Sequence, residues 1–333
     1  MSIASADFQE PSNGRKKESE QLSQASDVAW LHHIHGLSQA EIADRRGLSR
    51  MKVHRLIQLG YDSGLVRVFV DSVPTYCSEL ETQLIKRFGL TACMVVPDAE
   101  PEPDMFATMP AISSAAAMML FGKLESTEPR TIGIGSGRTM AATTHALPPV
   151  RRPETSFVSL TGDFAVLNDA NPFEVINTLV TKTGGKGHAF TAPLVVESRE
   201  DRDLFLRQRG VSLAMDLVRN ADFFFTGLGN VEKNSFLASY GLMSEEELQQ
   251  QLRDLDIAAD VAGNLMNSQG EFIKGGVAER MLAVNREELF AHPLIIVGGG
   301  SEKARAMLAA LRSGCVNGVV TNEGVARSVL KDA

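Results

Sequence analysis

Apolar positions near the start of the chain recur at helical spacing. Val28, Leu31 and Ile34 form a short stripe that ends at Gly36, and Leu37–Gln58 (LSQAEIADRRGLSRMKVHRLIQ) then predicts two further helices. Ser38 and Glu41 stand three apart, the spacing of a capping box. Ile42 and Ala43 begin an apolar stripe, Gly47 breaks it, Leu48 turns inward and Ser49 caps the next helix. In that helix Val53, Leu56 and Ile57 share one face, while Met51, His54, Arg55 and Gln58, with Arg50 near the start, share the other. A bracing helix followed by one with polar and cationic tips is the layout of a helix-turn-helix that reads the major groove. Asp62-Ser63-Gly64 reads as a turn and Leu65–Val70 as a strand with Arg67 outward, so the expectation is a three-helix core plus a wing.

Thr75–Phe88 has helical spacing through Leu80, Leu84, Ile85 and Phe88 and predicts a linker helix. From Thr91 the pattern alternates. Strand-like runs are 92–96, 131–134, 156–160, 190–196, 223–226, 294–297 and 318–321; helical stretches are 112–124, 139–147, 173–183, 201–220, 245–255 and 302–313. This alternation predicts a doubly wound α/β domain with a mostly parallel sheet. The expected organisation is a disordered polar arm over 1–24, a winged helix-turn-helix over 25–72, a linker helix over 73–90 and an α/β domain over 91–333.

A chain of 333 residues is long for one core, and 44% hydrophobic content is ample for two. The net charge of −8 argues against nucleic acid until its distribution is considered. Between Glu41 and Arg67, Arg45, Arg46, Arg50, Lys52, Arg55 and Arg67 outnumber Glu41, Asp44 and Asp62. The small N-terminal unit is therefore locally basic on an acidic chain, which makes it the docking face for phosphate backbones. Cys77, Cys93 and Cys315 form neither a metal-type cluster nor a disulfide framework. The reading has no metal, no cofactor, no signal peptide and no run approaching the ~18 apolar residues of a membrane span, so a cytoplasmic location is expected. His32, His33 and His35 cluster but lack the acidic or cysteine partners of a metal site.

Parallel sheets bind ligands where strands run into helices. Four such loops are rich in Gly and small polar residues: Gly133–Thr139, Leu160–Asp163, Thr226–Asn230 and Gly298–Lys303. In the first, Gly135 and Gly137 let backbone approach an anion, the next helix offers N–H groups, and Arg138 and Thr139 add a cation and a hydroxyl. Together the loops suit a phosphorylated small molecule. The GxGxG spacing is not the dinucleotide fingerprint, and no Walker A sequence is present.

SQAEIADRRGLSRMKVHRLI, GLVRVFV, GSGRTM, SLTGD, FFFTGLGN, DVAGNLMNSQGEF and IIVGGGSEKARAMLAALRSGCVNGVVTNEGVA occur in this order from about residue 27 onward. As an ordered set they resemble the SorC family of bacterial sugar-responsive transcriptional regulators, and within it the regulators of polyol catabolism such as erythritol operons. The resemblance implies a winged helix joined to an effector domain like ribose-phosphate isomerase and glucosamine-phosphate deaminase. It also implies a tetramer built as a dimer of dimers, and a sugar or polyol phosphate as effector. It carries effector contacts onto Gly135, Ser136, Gly137, Arg138, Thr139, Thr161, Gly162, Asp163, Asn171, Gly227, Gly229, Asp260 and Lys303. Operator DNA falls to Gln39, Ser49, Arg50, Met51, Lys52, His54, Arg55 and Arg67, with Arg50, Met51, His54 and Arg55 on base edges. Many members carry Ser-Trp where this chain has Gly135-Ser136, and the arginine that some place near Thr161 for a second phosphate is missing, which disfavours a bisphosphate. No catalytic residue is expected. The alternative is a sugar-phosphate isomerase or deaminase, with Asp163, Asp260 and Lys303 as acid, base and clamp.

Overall fold

The computed structural model describes residues 13–66, 68, 70, 72–125, 128, 130–163, 171–230 and 244–333. The chain divides into two compact units, residues 1–68 and 69–333.

The first unit has helices α1 (Asn13–Ala29), α2 (Gln39–Arg46) and α3 (Arg50–Asp62), with a single π turn over Trp30–Ile34 after α1. Ala25 and Val28 of α1, Ile42 and Ala43 of α2 and Val53, Leu56 and Ile57 of α3 form one buried cluster. The predicted capping box is present in full: Ser38 Oγ accepts from the Glu41 N–H, and the Ser38 N–H donates to Glu41 Oε2 at 2.8 Å. Gly47 ends α2 in the left-handed region (φ 63°), and Ser49 Oγ accepts from the Lys52 N–H to start α3. Arg46 is held by a forked pair of hydrogen bonds to Asp27, both 2.7 Å, which ties α2 to α1.

One expectation changes here, and a second falls partly outside the described residues. The polar run assigned to a disordered arm is helical from Asn13; its residues 1–12 lie outside the described residues. Once Ala25 and Val28 are anchored, each residue added backward gains a hydrogen bond without a new nucleation cost. The wing strand is not present in the described part of Leu65–Val70, and Arg67 and Phe69 lie outside the described residues. Val66 N–H donates to Gly60 O at 2.9 Å, so the chain folds back on α3, and the described residues of this unit offer no second strand to pair with.

The second unit begins with α4 (Thr75–Phe88), the predicted linker helix, and is built on a sheet. Its strands are β1 (Ala92–Val96), β2 (Thr131–Ile134), β3 (Ser156–Ser159), β4 (Lys186–His188), β5 (Phe223–Asn230), β8 (Leu294–Val297) and β9 (Gly318–Asn322), all parallel in the order β1-β9-β8-β5-β2-β3-β4. The end of β5 runs on into antiparallel pairing with β6 (Ile257–Val261), which pairs with β7 (Asn264–Asn267). Side chains alternate between two cores. Ile132, Ile134, Phe223, Phe225, Ile295 and Val297 face α5 (Met105–Leu124), α6 (Arg138–Ala146) and α7 (Pro172–Thr183). Val158, Phe224, Leu294, Ile296 and Val319 face α4, α9 (Arg209–Arg219), α12 (Ala304–Arg312) and α13 (Glu323–Asp332). Between these, α8 spans Arg199–Leu206, α10 Glu245–Leu255 and α11 Arg286–Ala291. The result is the expected doubly wound α/β domain, buried on both faces as a parallel sheet requires.

Four departures from prediction bear on the site and its core. The single helix expected over 201–220 is α8 and α9, parted by extended Gln208 (ψ 135°). The run 190–196 makes only isolated bridges, at Pro193 and Val195, because Pro193 has no N–H for a ladder. The β6–β7 hairpin was hidden because its turn is Ala262-Gly263, both at positive φ (50° and 79°), rather than the usual Asn-Gly. Finally, α5 is 20 residues of mean hydropathy 1.5, long and apolar enough to cross a membrane by length and composition, against the expectation of no such run. Its Ile112, Ala116, Leu120 and Leu124 belong to the sheet core, which accounts for the apolarity.

Candidate functional site

Strand order reverses once. From β2 the chain winds through β3 to β4 on one side, and from β5 it winds through β8 and β9 on the other. The adjacent ends of β2 and β5 therefore send their loops to opposite faces and leave a crevice between them. A cavity of about 510 Å³ opens there.

The loop after β2 forms one wall, with Ser136, Gly137, Arg138 and Thr139. Gly137 starts α6 at φ 103° and no side chain caps the helix, so its first N–H groups remain available. Arg138 is exposed, its guanidinium 5.3 Å from the centre of the Phe106 ring. Gly135 lies behind this wall. An added Cβ there would sit 1.9 Å from Thr226 Oγ1, so its small size allows β2 and β5 to close rather than a ligand to enter.

The end of β5 supplies Gly227, Gly229 and Asn230. Gly229 pairs with Asp260 of β6, and a Cβ on it would meet Asp260 Cβ at 2.9 Å. Asp260 is 7% exposed; its Oδ1 accepts the Gly263 N–H at 2.8 Å. Burial pushes its carboxyl up to about 7, against the opposing pull of that hydrogen bond and of Lys303. Lys303, 6% exposed, donates from Nζ to Leu228 O at 2.8 Å and Asn230 Oδ1 at 3.1 Å. Burial brings its ammonium down to about 8; Arg138 pushes the same way, while Glu302 and Asp260 oppose. Beside it, Glu302 Oε1 accepts the Met105 N–H at 3.0 Å, which docks the start of α5 onto this loop.

Nine of the thirteen residues expected to meet an effector line this cavity: Ser136, Gly137, Arg138, Thr139, Thr161, Gly227, Gly229, Asp260 and Lys303. Four do not. Gly135 is packing, as above. Gly162 would carry a Cβ 2.6 Å from Pro193 O, and its N–H bonds Leu282 O. Asp163 uses its backbone N–H on Ala192 O at 2.8 Å and does not line the cavity. Asn171, 1% exposed, caps α7 by accepting the Glu174 N–H at Oδ1 at 2.9 Å and does not line the cavity. Of the other lining residues, Thr226, Leu228, Asn230 and Glu302 lie in the predicted loops but were assigned no contact, and Met105, Phe106, Leu194, Ala262 and Gly263 lie outside them. Asp104 accepts the Ala107 N–H and is the N-cap of α5, which starts at Met105 rather than at the expected 112 and so brings Met105 and Phe106 to the cavity.

In the helical unit, Arg50, Met51, Lys52, His54 and Arg55 are exposed on α3 and Gln39 is half-buried at the start of α2. Ser49 is exposed and spends its hydroxyl on the cap. Met51, 62% exposed, is a large apolar side chain left in solvent on the cationic face.

A switch-point cavity on a doubly wound sheet, in a chain that also carries a separate three-helix unit with a cationic face, defines a small-molecule-binding α/β protein with a helical recognition module. Residues 72–331 match the family described as "Putative sugar-binding domain". The chain is 31% identical over 303 residues to the erythritol catabolism regulatory protein EryD of Brucella abortus (strain 2308), covering 91% of this chain and 95% of that protein. It is 31% identical over 312 residues to the transcriptional regulator LsrR of Enterobacter sp. (strain 638), covering 91% of each. The full-length sorbitol operon regulator SorC of Klebsiella pneumoniae superposes with a TM-score of 0.68 over 93% of this chain and 99% of that one, at 21% identity. A DeoR family transcriptional regulator of Listeria monocytogenes superposes with a TM-score of 0.69 over 77% of this chain and 100% of that one, at 20% identity. The chain belongs to the SorC family of sugar-binding transcriptional regulators. It is a transcriptional regulator, and its relatives are regulators rather than isomerases or deaminases.

Proposed function

We propose that this protein controls a carbohydrate or polyol catabolic operon in the cytoplasm, as a homo-oligomer whose α2–α3 unit binds operator DNA and whose switch-point cavity binds a sugar or polyol monophosphate. The observation that carries the phosphate is the uncapped start of α6 at Gly137, with Arg138 beside it and Lys303 in the same cavity. Helix N–H groups and a guanidinium favour a phosphate together. Asp260 and Glu302 at the same cavity oppose a second phosphate. Similarity to the erythritol regulator favours a polyol phosphate over a sugar acid. On the DNA side, Arg50, Met51, His54 and Arg55 read bases while Gln39, Lys52 and Arg67 hold phosphates. The test is a thermal-shift screen of polyols, sugars and their monophosphates. A monophosphate should raise the melting temperature of wild type, and Arg138→Ala should abolish most of that rise. An equal rise in both proteins would remove the phosphate from this site.

A further inference from the structure

Two polar atoms at the cavity are buried without a hydrogen-bond partner: Glu302 Oε2 and Thr161 Oγ1. Thr161 is 5% exposed. Native proteins leave few such atoms, because each gives up water and receives nothing in return. The two flank the crevice. Thr161 follows β3 and Glu302 follows β8, and in the sheet these strands lie outside the β2–β5 pair, one on either side. A ligand anchored at the start of α6 by its phosphate therefore extends its remainder between them.

Glu302 is built to keep its second oxygen available. Oε1 is committed to the Met105 N–H, which fixes the carboxylate. Gly300, at φ 101°, leaves the space that Oε2 occupies; a Cβ on Gly300 would lie 2.6 Å from Oε2 and 2.5 Å from the Met105 nitrogen. A carboxylate only accepts hydrogen bonds, so Oε2 calls for a donor. A phosphate or carboxylate on the ligand would be repelled there, whereas a hydroxyl supplies the proton.

We propose that Glu302 is the specificity-determining residue for a hydroxylated ligand, accepting one hydroxyl proton at Oε2 while Thr161 Oγ1 pairs with a second hydroxyl on the other flank. This rests on the phosphate reading of the cavity for the ligand's orientation. It names the class more narrowly: an open-chain or cyclic polyol monophosphate with at least two hydroxyls remote from the phosphate.

The test is calorimetric titration of the full chain with four-, five- and six-carbon alditol monophosphates. Each is paired with the unsubstituted alkyl phosphate of the same length, and inorganic phosphate and the free alditols are run beside them. Wild type should prefer at least one alditol phosphate over its alkyl counterpart. Glu302→Gln should cut that preference by about tenfold, since a charge-assisted bond is replaced by a neutral one. Gln retains an oxygen for the Met105 N–H. Thr161→Val should reduce the preference by a similar factor. Alkyl phosphate and inorganic phosphate should bind all three proteins alike, which reports an intact fold and an intact phosphate end. A structural role for Glu302 would weaken every phosphate equally and leave the ratio untouched; that result, or no preference in wild type, overturns the assignment. Binding of free alditol that is sensitive to Glu302→Gln, with no gain from phosphate, would sustain the hydroxyl assignment and remove the phosphate reading alone.

Discussion

Asp260 and Lys303 show what the proposed ligand site costs in stability. Both are almost fully buried, and burial moves each towards its neutral form, the acid up to about 7 and the amine down to about 8. The sign for Asp260 follows from proton counting. Between its ordinary value near 4 and about 7 the folded state holds a proton that the unfolded state has released. Stability therefore falls as pH rises through that window, and the loss is complete above it. The Lys303 term runs the other way: the amine costs stability below about 8, and the cost is relieved as pH rises from there towards its ordinary value. Asp260→Asn removes the acid's share without changing its size, and asparagine keeps an oxygen for the Gly263 N–H. Glu302 and Arg138, the other charges at the cavity, remain in place. At pH 7.5 the unliganded Asn variant should melt higher by about 1–2 °C, the shift that about 1 kcal/mol gives in a chain longer than 250 residues. Its advantage should disappear below pH 4, and its effector affinity should drop. Scanning calorimetry across pH checks both; a variant that melts lower at pH 7.5 would mean the acid is a net structural support. Such a trade of stability for binding is usual at functional sites.

At the scale of elements, the β2–β5 contact is the one the site depends on. Gly135 N–H donates to Phe225 O at 2.9 Å, and the residue's missing side chain lets Thr226 cross it. Gly135→Ala places a methyl where the Thr226 hydroxyl and backbone stand, so a strand must shift. The expected cost is about 1–3 kcal/mol, the range for overpacking a tight core, with effector binding weakened beyond what the stability loss explains. Denaturant unfolding and ligand titration separate the two. Strands β2, β8 and β9 were legible in sequence because 131–134, 294–297 and 318–321 are short apolar runs followed by Gly or small polar turns. The capping box at Ser38 was legible because its chemistry is local. What stayed illegible depends on distant partners. β4 (Lys-Gly-His) has no apolar signal and exists because β3 offers it a ladder. β6 is buried along its whole length and so shows no alternation, and its Ala-Gly turn carries no hairpin signature. Asn171 and Gly162 have the residue types of ligand contacts, and only their neighbours reveal a helix cap and a tight approach. Glu302 was passed over beside the more conspicuous Lys303, since an unpartnered oxygen is a property of packing rather than of sequence.

In the whole molecule, a locally basic helical unit is carried on a chain whose overall charge is negative. The chain carries −8 overall, yet residues 41–67 have an excess of cations, of which Arg46 is already spent on Asp27. The cationic charge available to DNA on the first unit is thus smaller than the sequence count, resting in the described residues on Arg45, Arg50, Lys52 and Arg55, so operator affinity should be moderate and its salt dependence shallower than that count implies. For a protein that responds to a metabolite, thermodynamics then demands a symmetric result. If the effector changes operator affinity by some factor, the operator must change effector affinity by the same factor, typically about 5–150-fold in one direction or the other. The measurement needs two titrations on the full chain: operator by fluorescence anisotropy with and without saturating effector, and effector by calorimetry with and without saturating operator. The two factors should agree. Arg55→Ala, which should weaken operator binding if Arg55 reads bases as proposed, should leave effector affinity in the absence of DNA unchanged, because Arg55 belongs to the helical unit and the cavity lies wholly in the α/β unit. Equal effector affinity with and without operator would mean that the metabolite site and the DNA site are not coupled. The cavity would then serve some purpose other than control of transcription.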